Sequence, residues 1–168
     1  GNNHVDLSTV VENVGDKAVE MVSGYGVSMS GMQTYLPGYG AVSSGMYSLH
    51  SADELPLNWV GGYNENKGTY GFYFPAMTHF TASDTWVDPF KKINLKPGNK
   101  VTENAKFFIW EEKDVAKPLT KYYELNGIET GTITGTVETK SGNVIPNPYV
   151  NIKKEGENIV TVRGNEAG

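Results

Sequence analysis

Cysteine is absent from this chain of 168 residues. Disulfides, thiolate metal sites and a cysteine nucleophile are therefore excluded. Arginine occurs once, at Arg163, and the 14 basic residues are scattered among 19 acidic ones, for a formal net charge of −5. No basic stripe exists to track a phosphate backbone, so nucleic acid is not an expected partner. No apolar run approaches the ~20 residues that span a bilayer, and no membrane span is expected. Histidine is limited to His4, His50 and His79. The chain opens on Gly1-Asn2-Asn3 with no signal peptide, which fits a secreted, periplasmic or cell-surface protein whose signal has been removed. Both ends read as places where a longer chain was cut.

What the sequence has in quantity is glycine (20) and tyrosine (10), with 8 prolines. Turn residues separate short aromatic and β-branched runs, the texture of an all-β chain. Val5, Leu7, Thr9 and Val11 alternate with their neighbours at the period of a half-buried strand. Turn chemistry follows in Asn13-Val14-Gly15-Asp16-Lys17, then a second alternation through Val19, Met21, Ser23, Tyr25, Val27 and Met29. The two runs are expected to pair as antiparallel neighbours. Residues 30–56 carry loop signals, and the stretch is expected either to hide short strands around residues 45–49 or to be a functional loop.

Residues 57–63 and 69–74 flank Asn64-Glu65-Asn66-Lys67-Gly68 and predict a hairpin. Trp86, Phe90, Ile93 and Leu95 predict a strand, Lys96-Pro97-Gly98-Asn99 a tight turn, and residues 101–110 a returning strand. Leu119, Tyr122 and Tyr123 have helical spacing, with Pro118 suited to a first turn and Gly127 to the position just past the end. At most one short helix is expected.

After Gly127 the texture changes. Residues 132–138 alternate as a strand, Ser141-Gly142-Asn143 turns, and Pro146-Asn147-Pro148 leads into residues 149–153. Glu155-Gly156-Glu157-Asn158 turns again into residues 159–162. Three short strands cannot bury an independent core, so this unit reads as partial. The expected division is a β-sandwich over residues 1–127 and a partial second β-unit, immunoglobulin- or transthyretin-like, over residues 128–168.

Residues 131–152, with Gly135-Thr136-Val137 as opening strand and Pro146 before Tyr149-Val150-Asn151-Ile152, resemble the start of a carboxypeptidase-regulatory-like β-sandwich. The larger part is similar to the N-terminal, supersandwich-like region of exported metallohydrolases of the CehA/McbA type. The resemblance rests on Val11-Glu12-Asn13-Val14-Gly15-Asp16-Lys17, Ile93-Asn94-Leu95-Lys96-Pro97-Gly98, Phe107-Phe108-Ile109 and Tyr122-Tyr123-Glu124-Leu125. Rhamnogalacturonan lyases share the layout of a large sandwich followed by a small one. The resemblance implies a catalytic domain of the PHP phosphoesterase class outside this chain, because the His-x-His start of such a domain is missing here.

Tyr39, Trp59, Tyr63 and Trp86 lie in or beside loop signals, and exposed rings of this kind stack on sugars. Tyr35 and Tyr47 belong to the same aromatic set. Asp84 and Asp88 bracket Trp86 and are the candidate calcium ligands, although two carboxylates fall short of the roughly six to eight oxygens the ion takes. His50, Asp53 and Glu54 are a candidate acid/base or metal cluster, with a polar loop rim as the alternative. His50 and His79 with Glu65 would be the set for a mutarotase-type enzyme. No other cofactor is expected.

The sequence therefore predicts a non-catalytic accessory segment of an exported multidomain hydrolase, serving to position or stabilise a catalytic domain in the parent chain. A carbohydrate-binding module and a mutarotase- or lyase-like enzyme fragment are the alternatives. A homodimer through edge-strand pairing is a further expected association.

Overall fold

The structure is a computed structural model that describes residues 4–36, 40–42, 58–64, 66, 68–82, 86–111 and 116–168. The expected strands around residues 45–49 lie outside the described residues. The fold is all-β, built from antiparallel sheets, with one helix among the described residues.

Six strands form the larger sheet: β1 (His4–Glu12), β4 (Gln33–Leu36), β5 (Gly40–Val42), β6 (Trp59–Asn64), β7 (Gly68–Tyr73) and β10 (Lys100–Trp110). Their spatial order is β1-β10-β7-β6-β4-β5. The smaller sheet centres on β9 (Trp86–Leu95), with β2 (Val19–Gly24) and β3 (Val27–Ser28) paired to it in succession. Strand β8 (His79–Ala82) also pairs with β9, opposite Val87 to Phe90. A hairpin of β11 (Tyr149–Lys154) and β12 (Glu157–Arg163) makes a separate two-stranded sheet.

The expected pairing of the first two strands is corrected. β1 pairs with β10 in the larger sheet, whereas β2 pairs with β9 in the smaller one. The alternation in both runs is real, but residues 13–18 carry the chain from one sheet to the other. Lys96-Pro97-Gly98-Asn99 does the same between β9 and β10, with Gly98 at φ 73° and Asn99 N–H donating to Lys96 O at 3.0 Å. Pro at the second position and glycine with positive φ at the third are the signature of a type II turn.

The two crossings lie side by side and Asn13 joins them. Its backbone N–H donates to Asn99 O (3.0 Å) and its carbonyl accepts from Gly98 N–H (2.8 Å). The buried Asn13 side chain donates to Lys17 O (2.7 Å) and Leu95 O (2.8 Å), and its Oδ1 accepts from Gly15 N–H (3.0 Å). A buried amide with both N–H donors used and its oxygen accepting fixes the corner.

Two apolar layers follow. Between the sheets lie Val27, Met29, Met32, Leu36, Val60, Phe74, Met77, Phe80, Val87 and Ala105. On the other face of the larger sheet, Tyr35, Trp59, Tyr63 and Phe108 pack with Leu119 of helix α1 (Ala116–Leu125) and Val160 of β12. The central strand β6 is consequently buried on both faces, and the architecture has three layers.

The helix begins with Pro118 in its first turn and ends as expected at Gly127, φ 64°. Ile128 N–H donates to Tyr123 O (2.9 Å) and Gly127 N–H to Glu124 O (3.2 Å), the paired bonds of a Schellman ending. The strand expected over residues 132–138 does not form. Residues 131–137 have no ladder, and only the isolated bridge Glu138↔Val144 follows. An extended segment needs a run of hydrogen bonds to a neighbour to become a strand, and among the described residues Val137 O alone accepts one, from Ile145 N–H at 2.9 Å. The second hairpin turns at Glu155 and Gly156, both with positive φ, which suits a tight two-residue hairpin loop.

Candidate functional site

The aromatic residues singled out from the sequence fall into two environments. Trp59 is fully buried and Tyr63 nearly so. Both project from β6 toward α1, so neither presents a stacking face to solvent, which corrects their reading as ligand residues. Trp59 stands 5.9 Å from Phe108 and 6.3 Å from Tyr122, ring centre to ring centre. Tyr35, also read as a loop aromatic, is buried in β4. Burial and the neighbouring Tyr123 and Tyr122 push its phenol well above the ordinary tyrosine range. Tyr39, Tyr47, Asp84, His50, Asp53, Glu54 and Glu65 lie outside the described residues.

The signal for the burial of Trp59 was in the glycines of its own hairpin. Gly61 and Gly71 face one another in the β6–β7 register. A Cβ at Gly71 would meet the Trp59 ring at 2.4 Å, and one at Gly61 would meet Pro118 at 2.6 Å. Glycine in a strand interior marks such close approach.

Trp86 is different. It is 46% exposed and stands on the outer face of the smaller sheet. Alternation along β9 sends Val87 and Pro89 into the core and leaves Trp86, Asp88 and Phe90 on the opposite face. Across the ladder, Thr81 pairs with Asp88 and His79 with Phe90. The Thr81 hydroxyl hydrogen-bonds the Asp88 carboxyl. Partial burial nevertheless holds Asp88 above the ordinary carboxylate range. The His79 ring stacks on Phe90 at 5.4 Å and 20°, and its Nδ1 lies 2.7 Å from Thr78 Oγ1. On the other side of β9 the exposed Gly24 and Gly26 leave bare backbone. A Cβ at Gly26 would lie 3.2 Å from Asp88 Oδ1 and 3.6 Å from the Trp86 ring.

A second polar set lies between the sheets. Glu103 of β10 is buried at 2% exposure and its Oε2 pairs with Lys91 Nζ at 3.0 Å. Ser23 Oγ donates to Glu103 Oε1 (3.3 Å) and Tyr25 OH to the Glu103 carbonyl (3.2 Å). The sequence signal was a carboxylate in an otherwise inward-facing series of Val101, Glu103, Ala105 and Phe107. Lys91 of the smaller sheet and Glu103 of the larger one thus meet as an ion pair across the interior. Among the described residues no three histidine or acidic side chains gather as a metal-binding group, and Asp88 is the only described member of the calcium pair.

Neither protein-family models nor curated proteins give a match to this chain.

Proposed function

We propose that this chain is a non-catalytic structural module of an exported multidomain protein, one that holds a neighbouring catalytic domain in a fixed direction. The observation that carries the reading is the shared apolar layer of the larger sheet, α1 and the terminal hairpin. Val160, Ile152, Ile159 and Val162 of the hairpin pack in the same cluster as Trp59, Phe108 and Leu119. Asn58 Nδ2 donates to Asn126 Oδ1 at 2.9 Å, tying the entrance of β6 to the end of α1. A junction built this way transmits orientation, whereas a bare linker would leave the following unit free to swing.

The aromatic content supports the same reading, since Trp59, Tyr63 and Tyr35 serve packing. The resemblance to the N-terminal region of exported metallohydrolases supplies the kind of neighbour, a hydrolase domain in the same parent chain. Among the described residues no helix is long and apolar enough to cross a membrane.

The test is to loosen the joint in the parent protein. Val160→Asp places a charge in the shared layer, and small-angle scattering should then report a wider spread of interdomain distances. An unchanged scattering profile would count against the positioning role. A second association fits the same module. Among the described residues β1 is an edge strand with exposed Val5, Leu7 and Val10, the arrangement that strand addition by a second copy would use.

A further inference from the structure

The outer face of the smaller sheet has a chemistry that a purely structural role does not use. It sets one exposed indole, one carboxylate and one imidazole along a single strand pair, above backbone kept bare by glycine. We propose that this face binds a neutral glycan, with Trp86 stacking on a sugar ring and Asp88 accepting hydrogen bonds from sugar hydroxyls. The inference goes beyond the positioning role and stands or falls separately from it.

A pyranose ring has an apolar C–H face and a rim of hydroxyls. The Trp86 face supplies apolar area for the first, at low entropic cost because the indole turns about only two torsions. Asp88 supplies the second. Among the described residues Thr81 takes one of the roughly four acceptor positions of a carboxylate, and further positions suit hydroxyl donors. The partial burial that raises the Asp88 carboxyl also strengthens any hydrogen bond made there.

The spacing sets the size of the ligand. Trp86 and Phe90 are four residues apart on one face, ~13 Å at the rise of a β-strand. That accommodates more than one ring, with His79 held over Phe90 at the far end. Glycine at position 26 keeps the interval between Trp86 and Asp88 open, since any side chain there would fill it. Charge selects the class: a central carboxylate disfavours uronic acids, so the expected ligand is uncharged.

The experiment is affinity electrophoresis of the full chain through gels containing mixed-linkage β-glucan, xylan or galactomannan. Retention by at least one gel is expected, with Trp86→Ala weakening it at least tenfold and Asp88→Asn several-fold. Melting temperature serves as the folding control. In parallel, titration of the wild type with the matching oligosaccharide should move the Trp86 indole N–H resonance and leave that of Trp59 in place. Folded wild-type protein that migrates freely through all three gels would overturn the proposal. So would retention that Trp86→Ala leaves unchanged, or an indole of Trp86 that does not respond.

Discussion

The indole of Trp59 lies directly on the backbone of Gly71, where a single added carbon would come within 2.4 Å of the ring. The ring is fully buried, and its Nε1 has no hydrogen-bond partner among the described residues. Its contribution is therefore shape and apolar area. Gly71→Ala should cost ~1–3 kcal/mol by overpacking, read as a drop of several degrees in melting temperature. Trp59→Ala should cost ~3–5 kcal/mol. A melting temperature unchanged by Gly71→Ala would mean that the ring does not sit on this strand.

Asn13 predicts a different kind of loss. Asn13→Ala removes the donor to Lys17 O and Leu95 O and leaves the buried Leu95 carbonyl without it. The expected cost is ~1–3 kcal/mol, seen as a lower urea midpoint with an unchanged slope. A changed slope would point instead to a partly opened native state.

Lys91 and Glu103 test whether the sheets are registered by charge. Lys91→Ala strands the buried carboxylate and should destabilise by ~3 kcal/mol. Replacing the pair together, as Lys91→Leu with Glu103→Leu, should restore most of that loss. A double variant no more stable than the single one would show that Ser23 and Tyr25, and not the ion pair, dominate this contact.

Alkaline pH should unfold the protein early. The phenols of Tyr35, Tyr70 and Tyr122 are all raised from 10.0, chiefly by burial. In the unfolded chain they ionise near the ordinary value, so the folded state binds more protons above it. Stability should hold below pH ~10 and fall as pH rises through and beyond that value. Thermal melts between pH 8 and 12 check this, and Tyr35→Phe should flatten the decline. A melting temperature constant across the range would contradict it.

Much of the fold was legible where the cause is local. The β6–β7 hairpin declares itself through Tyr70 and Phe72 on one face and Gly68 at the turn, and α1 through Pro118 and Gly127. The partners of β1 and β2 were not legible, because the same alternation serves a hairpin or a crossing between sheets. What decides is β9 and β10, some 80 residues away, as the 82-residue separation of the Asn13–Leu95 bond illustrates.

The candidate site was half legible for the same reason. Trp86 and Asp88 were found by residue type, but Thr81, Phe90 and the role of His79 depend on the β8–β9 register. Trp59 and Tyr63 look like loop aromatics until α1, far along the chain, is laid across them. The glycines at 61 and 71 were the available clue.

The central claim is that the terminal hairpin and the sandwich move as one body through α1. Backbone ¹⁵N relaxation on the 18.3 kDa chain tests it most directly. The account predicts that β11 and β12 tumble with the same correlation time as β6 and β7. It also predicts nuclear Overhauser contacts linking Val160 to the layer that holds Leu119 and Trp59. A distinctly shorter correlation time for residues 149–163, with those contacts missing, would contradict it.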